Sequence, residues 1–374
     1  MSGYRVISSD NHVIEPADLW ISRASAKNKD RAPHIIHKED GDWWRYENSQ
    51  VLGMVGAQAG TRFEDPQQLI VGGREEDIRP GGWIPEEHVK DLDIDGVEVS
   101  FVYPTVGLVL YSGADSDLLT EMCGIYNDWV GEFCSAFPKR LKGIAMLNVD
   151  DVGVGVKELE RCAKIGFAGA MIPVAPGDGK GYERPEYELL WATAQDLGIP
   201  LSLHIATNRL GASADLASSE EQKTNKISVL ANTDHWVRVS LADMICSGVF
   251  ERYPKLQVGS IEHEMSWAPH FLDRIDFTYS QRTSGIYGYR YKEDAMPSDY
   301  FHRNVFLGFQ EDALGIKMRD IIGLDNMQWG SDYPHSEGTF PKSQEILEKM
   351  LVDCTEEEKA KIAGGNTARV YHLD

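Results

Sequence analysis

Asp10 and His12 stand two residues apart at the end of the apolar run 4–9. In an extended strand that spacing puts both side chains on one face. A carboxylate and an imidazole aimed at one point are a ligand pair for Zn, Mn or Fe(II). Other segments end the same way. His204 interrupts the apolar stretch "LSLHIA", Glu262, His263 and Glu264 close "KLQVGSIEHE", and Asp332 closes "MQWGSD", with His335 three residues beyond it. Each alone has an ordinary explanation, because a strand-end histidine is usually satisfied by a hydrogen bond and an Asp ahead of Tyr-Pro is a turn former. The recurrence at four separate segment ends is the signal for a metal centre that polarises a substrate oxygen or activates water. Arg209, just past His204, is a candidate partner for a substrate carboxylate, set against the plainer expectation of a surface arginine.

Such a set works only if one architecture brings the segment ends together. Segments 4–9, 96–105, 141–149, 166–174, 199–206, 255–264, 304–310 and 327–335 read as strands. Helical spacing over 115–136, 152–165, 185–198, part of 226–250, from about Trp267, and 311–322 separates most of them, and 341–352 and 355–363 finish the chain. Strand–helix alternation predicts a parallel sheet, and eight units over 374 residues fit an α/β fold of the distorted (β/α)8 TIM-barrel type. No glycine fingerprint follows the first strand, which removes the support for a dinucleotide fold. Active sites of such barrels sit at the C-terminal strand ends, where the residues above stand. A single domain, 1–374, is expected, with insertions over about 21–90 after strand 1 and about 275–300 after strand 6, as lids or dimer contacts. Period-2 alternation lets Glu262 or His263 point inward but not both. His335 and Glu264 leave room for a second ion.

Lys and Arg number 37 against 59 Asp and Glu, a formal charge of −22. That field repels phosphate backbones, and no local basic patch offsets it, so no nucleic-acid partner is expected. No apolar run approaches the ~18 residues needed to span a bilayer, and residues 1–16 lack a signal-peptide pattern. Five widely spaced cysteines with no C-x-x-C suggest small buried hydrophobes rather than a disulfide framework, in keeping with a cytoplasmic protein.

Taken together, "SSDNHVIEPADLW", "IPLSLHIA", "FERYPKLQVGSIEHEMSWAPHFLDRID", "MQWGSDYPHSEGTFPKS" and "GGNTARVYHLD" resemble the amidohydrolase-2 family. This is the branch that includes aminocarboxymuconate-semialdehyde decarboxylase and resorcylate-type decarboxylases. The resemblance runs from residue 4 to the C-terminus and is weakest over 21–90 and 210–235. It implies a divalent metal, zinc ahead of manganese or iron, with Asp10, His12, His204 and Asp332 as ligands. Asp332 is also implied as a proton relay and His263 as a second catalytic group. Two departures matter: strand 1 carries Asp-x-His rather than His-x-His, and strand 4, "GAMIPV", has no lysine to carbamylate as a bridge between two metals, which favours one ion. The resemblance implies a hydrolase or a non-oxidative decarboxylase of a small carboxylated, aromatic or conjugated molecule, and the ligand shell does not choose between them. A dinuclear-metal oxygenase on the same barrel and a metal-bearing, catalytically idle subunit of a hetero-oligomer are the alternatives. A homo-oligomer, a dimer, is the expected assembly.

Overall fold

Short runs rich in β-branched and aromatic residues become the strands, because such side chains fit a pleated surface that is covered on both faces. The computed structural model describes residues 3–39, 41–47, 49–53, 59–64, 73–209, 231–282 and 288–373. Within them β1 (Ile7–His12), β2 (Val99–Tyr103), β3 (Leu141–Met146), β4 (Gly169–Ile172), β5 (Leu201–His204), β6 (Val258–Ile261), β7 (Val305–Phe309) and β8 (Met327–Trp329) form one eight-stranded sheet in chain order. Neighbours pair in parallel. The ends meet where Asp332 N–H donates to the Asp10 carbonyl (2.9 Å) and His12 N–H to the Tyr333 carbonyl (2.6 Å). The result is a nearly closed (β/α)8 barrel, with its polar strand ends gathered at one mouth.

Local signals place several of the outer helices. Asp115 caps Ser116–Ser135 by accepting from Asp117 and Leu118 N–H, and Asp151 caps Val152–Lys164 through Val154 N–H. Gly96 (φ +72) and Gly198 (φ +66) stop Pro85–Asp95 and Glu188–Leu197 in the left-handed conformation that glycine adopts without a Cβ clash.

The two interruptions have more order than their composition suggests. Residues expected to be irregular contain an antiparallel sheet of His34–Lys38, Gly41–Tyr46 and Ser49–Gly53. Its central strand is buried on both faces at Trp43 and Trp44, and that removes the polar–apolar alternation by which a strand is read. Trp44 packs edge-on against Trp20, ring centroids 5.7 Å apart. The expected boundary at 90 falls inside the helix Pro85–Asp95, which leads into β2. The interruption expected over 275–300 begins inside Ala268–Phe277 and ends inside Pro297–Asn304, with 283–287 outside the described residues. Most of 210–235 also lies outside them. Four cysteines are buried and Cys246 is exposed; all five are free thiols. No described helix is long and apolar enough to cross a membrane.

Candidate metal centre

The strand ends converge as the barrel requires. β1 shifts register against β2 between Ser8 and Asn11, and Asn11 turns away from the mouth. Its amide donates to Ser100 Oγ (2.8 Å), while its oxygen accepts from Ser8 and Ser331 hydroxyls (both 2.7 Å). Asn11 thereby ties β1 to the strands on either side, and Asp10 and His12 face the centre. Gly330 lets the last strand come close, since a Cβ there would lie 2.7 Å from that of Asp10.

His12 Nδ1 donates to the Pro104 carbonyl (2.7 Å), so its Nε2 carries a lone pair. That nitrogen lies 3.3 Å from Asp10 Oδ1 and 3.3 Å from Asp332 Oδ1. His204 is arranged alike, with Nδ1 3.1 Å from the Ile205 carbonyl and Nε2 3.4 Å from Asp10 Oδ1 and 3.5 Å from Glu262 Oε2. One ligand atom each from Asp10, His12, His204 and Glu262 lies within 4.8 Å of all the others.

Strand alternation, which would keep either Glu262 or His263 out of the site, does not reach these residues. β6 ends at Ile261, and Glu262 (φ +62) and Glu264 (φ +53) take the left-handed conformation. The turn carries the Glu262 carboxylate to the centre. His263 is buried beside it, its Nδ1 3.2 Å from Ser260 Oγ and its Nε2 without a partner. Burial, with the neighbouring His204, holds its imidazole near 3. Glu264 lies outside these groups and accepts from Gln310 and Glu311 N–H (3.3 and 3.4 Å); burial, with Asp312 nearby, pushes its carboxyl up to about 7.

Asp332, only 1% exposed, also has positive φ (+59). Its Oδ1 accepts from His335 Nδ1 (2.7 Å), and its Oδ2 has no partner. His335 stacks on His12 (centroids 4.0 Å) and reaches Thr105 Oγ1 through Nε2 (2.9 Å). Asp332 therefore adjoins the four-residue group and takes part in two others, His12–Asp332–His335 and Glu262–Asp332–Glu337. Glu337 was missing from the expected set, although it stands two residues past His335 in "DYPHSE". Arg209 is neither at the surface nor in these groups. It is 3% exposed, and it donates to Asp150 through Nε (3.0 Å) and Nη2 (2.5 Å) and to the Tyr111 and Gly113 carbonyls through Nη1 (2.5 and 2.8 Å).

The electrostatics are those of several acids crowded into one buried space. Burial, and then the Asp10 charge, push Asp332 well above the carboxylate range; burial, then Asp332 and then Asp10, raise Glu262 likewise. Against its own burial, Asp10 is pulled below that range by His204 and His12.

Glu15 steadies this centre from behind. Its buried carboxylate accepts from Val106 N–H (3.0 Å) and Gly107 N–H (2.9 Å), which open the helix Val106–Leu110 directly after the Pro104 and Thr105 that hold His12 and His335. Burial pushes the Glu15 carboxyl up to about 7, with the two amides pulling the other way. A folded value above the unfolded one means that its contribution is fully present below about 4.3 and is lost as pH rises through 7. Urea unfolding should show the wild type losing on the order of 2 kcal/mol more stability than Glu15→Gln between pH 5 and pH 8. Equal losses in the two proteins refute the assignment.

Residues 34–373 match the family described as Amidohydrolase, a span that leaves out β1. Gamma-resorcylate decarboxylase from Polaromonas sp. (strain JS666) is 26% identical over 305 residues, covering 78% of this chain and 88% of that protein. Among solved structures, an amidohydrolase from Mycobacterium avium subsp. paratuberculosis K-10 superposes with a TM-score of 0.80 at 21% identity, over 100% of this chain and 99% of the other. A dihydroxybenzoic acid decarboxylase from Polaromonas sp. JS666, solved with manganese and the inhibitor 2-nitroresorcinol, gives 0.66 at 20% identity over 99% and 97%. Both likenesses are ones of fold.

Proposed function

The chain belongs to the amidohydrolase family, and from that premise we propose that it is a metal-dependent decarboxylase of a small carboxylated aromatic or conjugated molecule. One observation carries the metal centre: His12 Nε2, Glu262 Oε2 and Asp332 Oδ2 are buried atoms with no hydrogen-bond partner. Because His12 gives its Nδ1 proton to Pro104, its Nε2 lone pair faces two carboxylate oxygens at 3.3 Å. Lone pairs facing lone pairs in a buried space repel, and a divalent cation among them turns each repulsion into a bond. The residues therefore fit a cation. Asp10, His12, His204 and Glu262 would hold it, with Asp332 adjoining. Carboxylate oxygens mixed with imidazoles suit manganese or iron as well as zinc. The Polaromonas decarboxylase, whose structure holds manganese, favours manganese among these. When bound, the ion supplies charge that orients and polarises a substrate carboxylate and an adjacent hydroxyl.

The chain's own groups handle the proton. Asp332 is linked through His335 to Thr105, a route by which a proton reaches the carboxyl beside the substrate. Delivered to the ring carbon that bears the carboxylate, it fills the position the leaving group vacates. The carbon–carbon bond then breaks, its electron pair returns to the ring, and carbon dioxide leaves. His263 Nε2, unpaired and beside His204, is placed to orient the substrate. Hydrolysis would use the same shell, and the decarboxylases among the relatives favour carbon–carbon cleavage. The test incubates protein purified without added ions with ortho-hydroxylated benzoates and, in parallel, with amides and lactones. Carbon dioxide release that stops on chelation and returns with manganese is the expected result. Hydrolysis alone, or activity indifferent to chelation, defeats the reading.

A further inference from the structure

We propose that Tyr333 is a positioning residue: its phenol, tied to Asp91 and Arg79, fixes the turn that aims Asp332 and His335 into the barrel mouth. The role of that turn rests on the reading of Asp332 as the proton-delivering group; the tie itself stands on contacts outside the metal centre. Tyr333 is 1% exposed, and its ring meets those of His88 and Phe340 edge-on, with a centroid distance of 5.0 Å to each. Its hydroxyl donates to Asp91 Oδ2 (2.5 Å). The same carboxylate is gripped by Arg79, through Nε to Oδ2 (2.6 Å) and Nη2 to Oδ1 (2.5 Å). Hydrogen bonds to ionised groups are the stronger kind, and a forked guanidinium fixes the plane of the carboxylate it holds. Asp91 is buried on the helix Pro85–Asp95, so the tie joins the segment after β1 to the loop after β8, 242 residues apart.

The local sequence makes room for this contact. A Cβ at Gly81 would overlap both the Tyr333 hydroxyl and the Asp91 carboxylate, so only glycine lets them meet. His88, which packs on the Tyr333 ring, holds Gly81 in place by donating from Nδ1 to its carbonyl (2.9 Å). The turn also needs holding. Asp332 has left-handed backbone (φ +59), which a residue with a Cβ keeps only where its surroundings enforce it. Ahead of the turn, the Asp332 N–H is fixed by the Asp10 carbonyl (2.9 Å). After it, the Tyr333 N–H makes only long bonds, 3.3 Å to Asn11 Oδ1 and 3.3 Å to Ser331 Oγ. The clamped phenol supplies the firmer restraint, one residue from Asp332 and two from His335, the pair through which the proton moves. Asp91 stands outside the ligand groups, so the clamp governs aim and not the holding of an ion.

The test follows amide hydrogen exchange and turnover in the manganese-loaded full chain. Tyr333→Phe keeps the ring and removes the hydroxyl. Exchange over 331–336 should rise by ~10-fold or more, while β4, across the barrel, keeps its wild-type rate. Metal content should not change, and kcat for carbon dioxide release should fall roughly 10–100-fold with KM within about two-fold. Asp91→Asn should act in the same direction, and the double variant should cost no more than the larger single change, because the two residues form one clamp. Unchanged exchange over 331–336, or an equal rise in β4, overturns the clamp. A local rise with kcat at the wild-type value overturns the positioning role. Losses that multiply in the double variant overturn the link through Asp91. If the wild type releases no carbon dioxide and exchange over 331–336 still responds to Tyr333→Phe, the decarboxylase reading fails and the clamp stands.

Discussion

His204→Ala should leave the chain unable to hold its metal. The His204 ring supplies a nitrogen 3.4 Å from Asp10 Oδ1 and 3.5 Å from Glu262 Oε2, in a pocket where every other close donor except His12 is an acid. Without it, the cation loses one ligand and the acids lose one of the groups that separates them. Partners one layer outside a metal site are typically worth about 10–100-fold in affinity, so removing a ligand should cost more than ~100-fold. Two measurements check this. Elemental analysis should find the variant nearly metal-free. Thermal unfolding should show no response to chelator, whereas the wild type should lose roughly the 3 kcal/mol that a ligand at a hundred times its Kd contributes. A variant with wild-type metal content removes His204 from the centre.

Asp332→Asn should separate holding the metal from moving the proton. The amide has nearly the same shape, and its oxygen can still accept from His335 Nδ1. It cannot take up and deliver a proton in the working pH range. If Asp332 is the proton-delivering group, kcat for carbon dioxide release should fall by roughly 10²–10⁴-fold, the usual worth of a positioned acid–base group, with a much smaller change in KM. The ion bound by Asp10, His12, His204 and Glu262 should remain, because Asp332 is not a member of that group. Activity that falls only in step with metal content would make Asp332 a ligand and nothing more. Activity within a few-fold of wild type would remove it from the chemistry.

Both predictions rest on a site whose outline is legible before any coordinates. The eight apolar segments, the turn residues between them and the ligand-type residues at their ends lead to the barrel and to its polar mouth. The i, i+2 spacing of Asp10 and His12 puts them on one face of β1, although the pairing of that strand slips between Ser8 and Asn11. His204 is legible as the last residue of β5.

The sequence by itself thus determined the architecture and the residues whose side-chain direction follows from strand periodicity. Tertiary structure decided what lies beyond the strand ends. Glu262 turns inward, and Glu264 toward the end of β7, through left-handed backbone held by contacts from other elements. Gln310 and Glu311 donate to Glu264, and Asp312 accepts from Met265 and Ser266 N–H. None of these partners is adjacent in sequence, so no local pattern encodes the turn. The same holds for Arg209, whose nearness to His204 suggested a substrate contact but whose donors are taken by Asp150 and two carbonyls about a hundred residues upstream. Periodicity governs direction only where the backbone is regular; at a barrel mouth the backbone leaves the strand, and packing against distant segments sets where each polar group points.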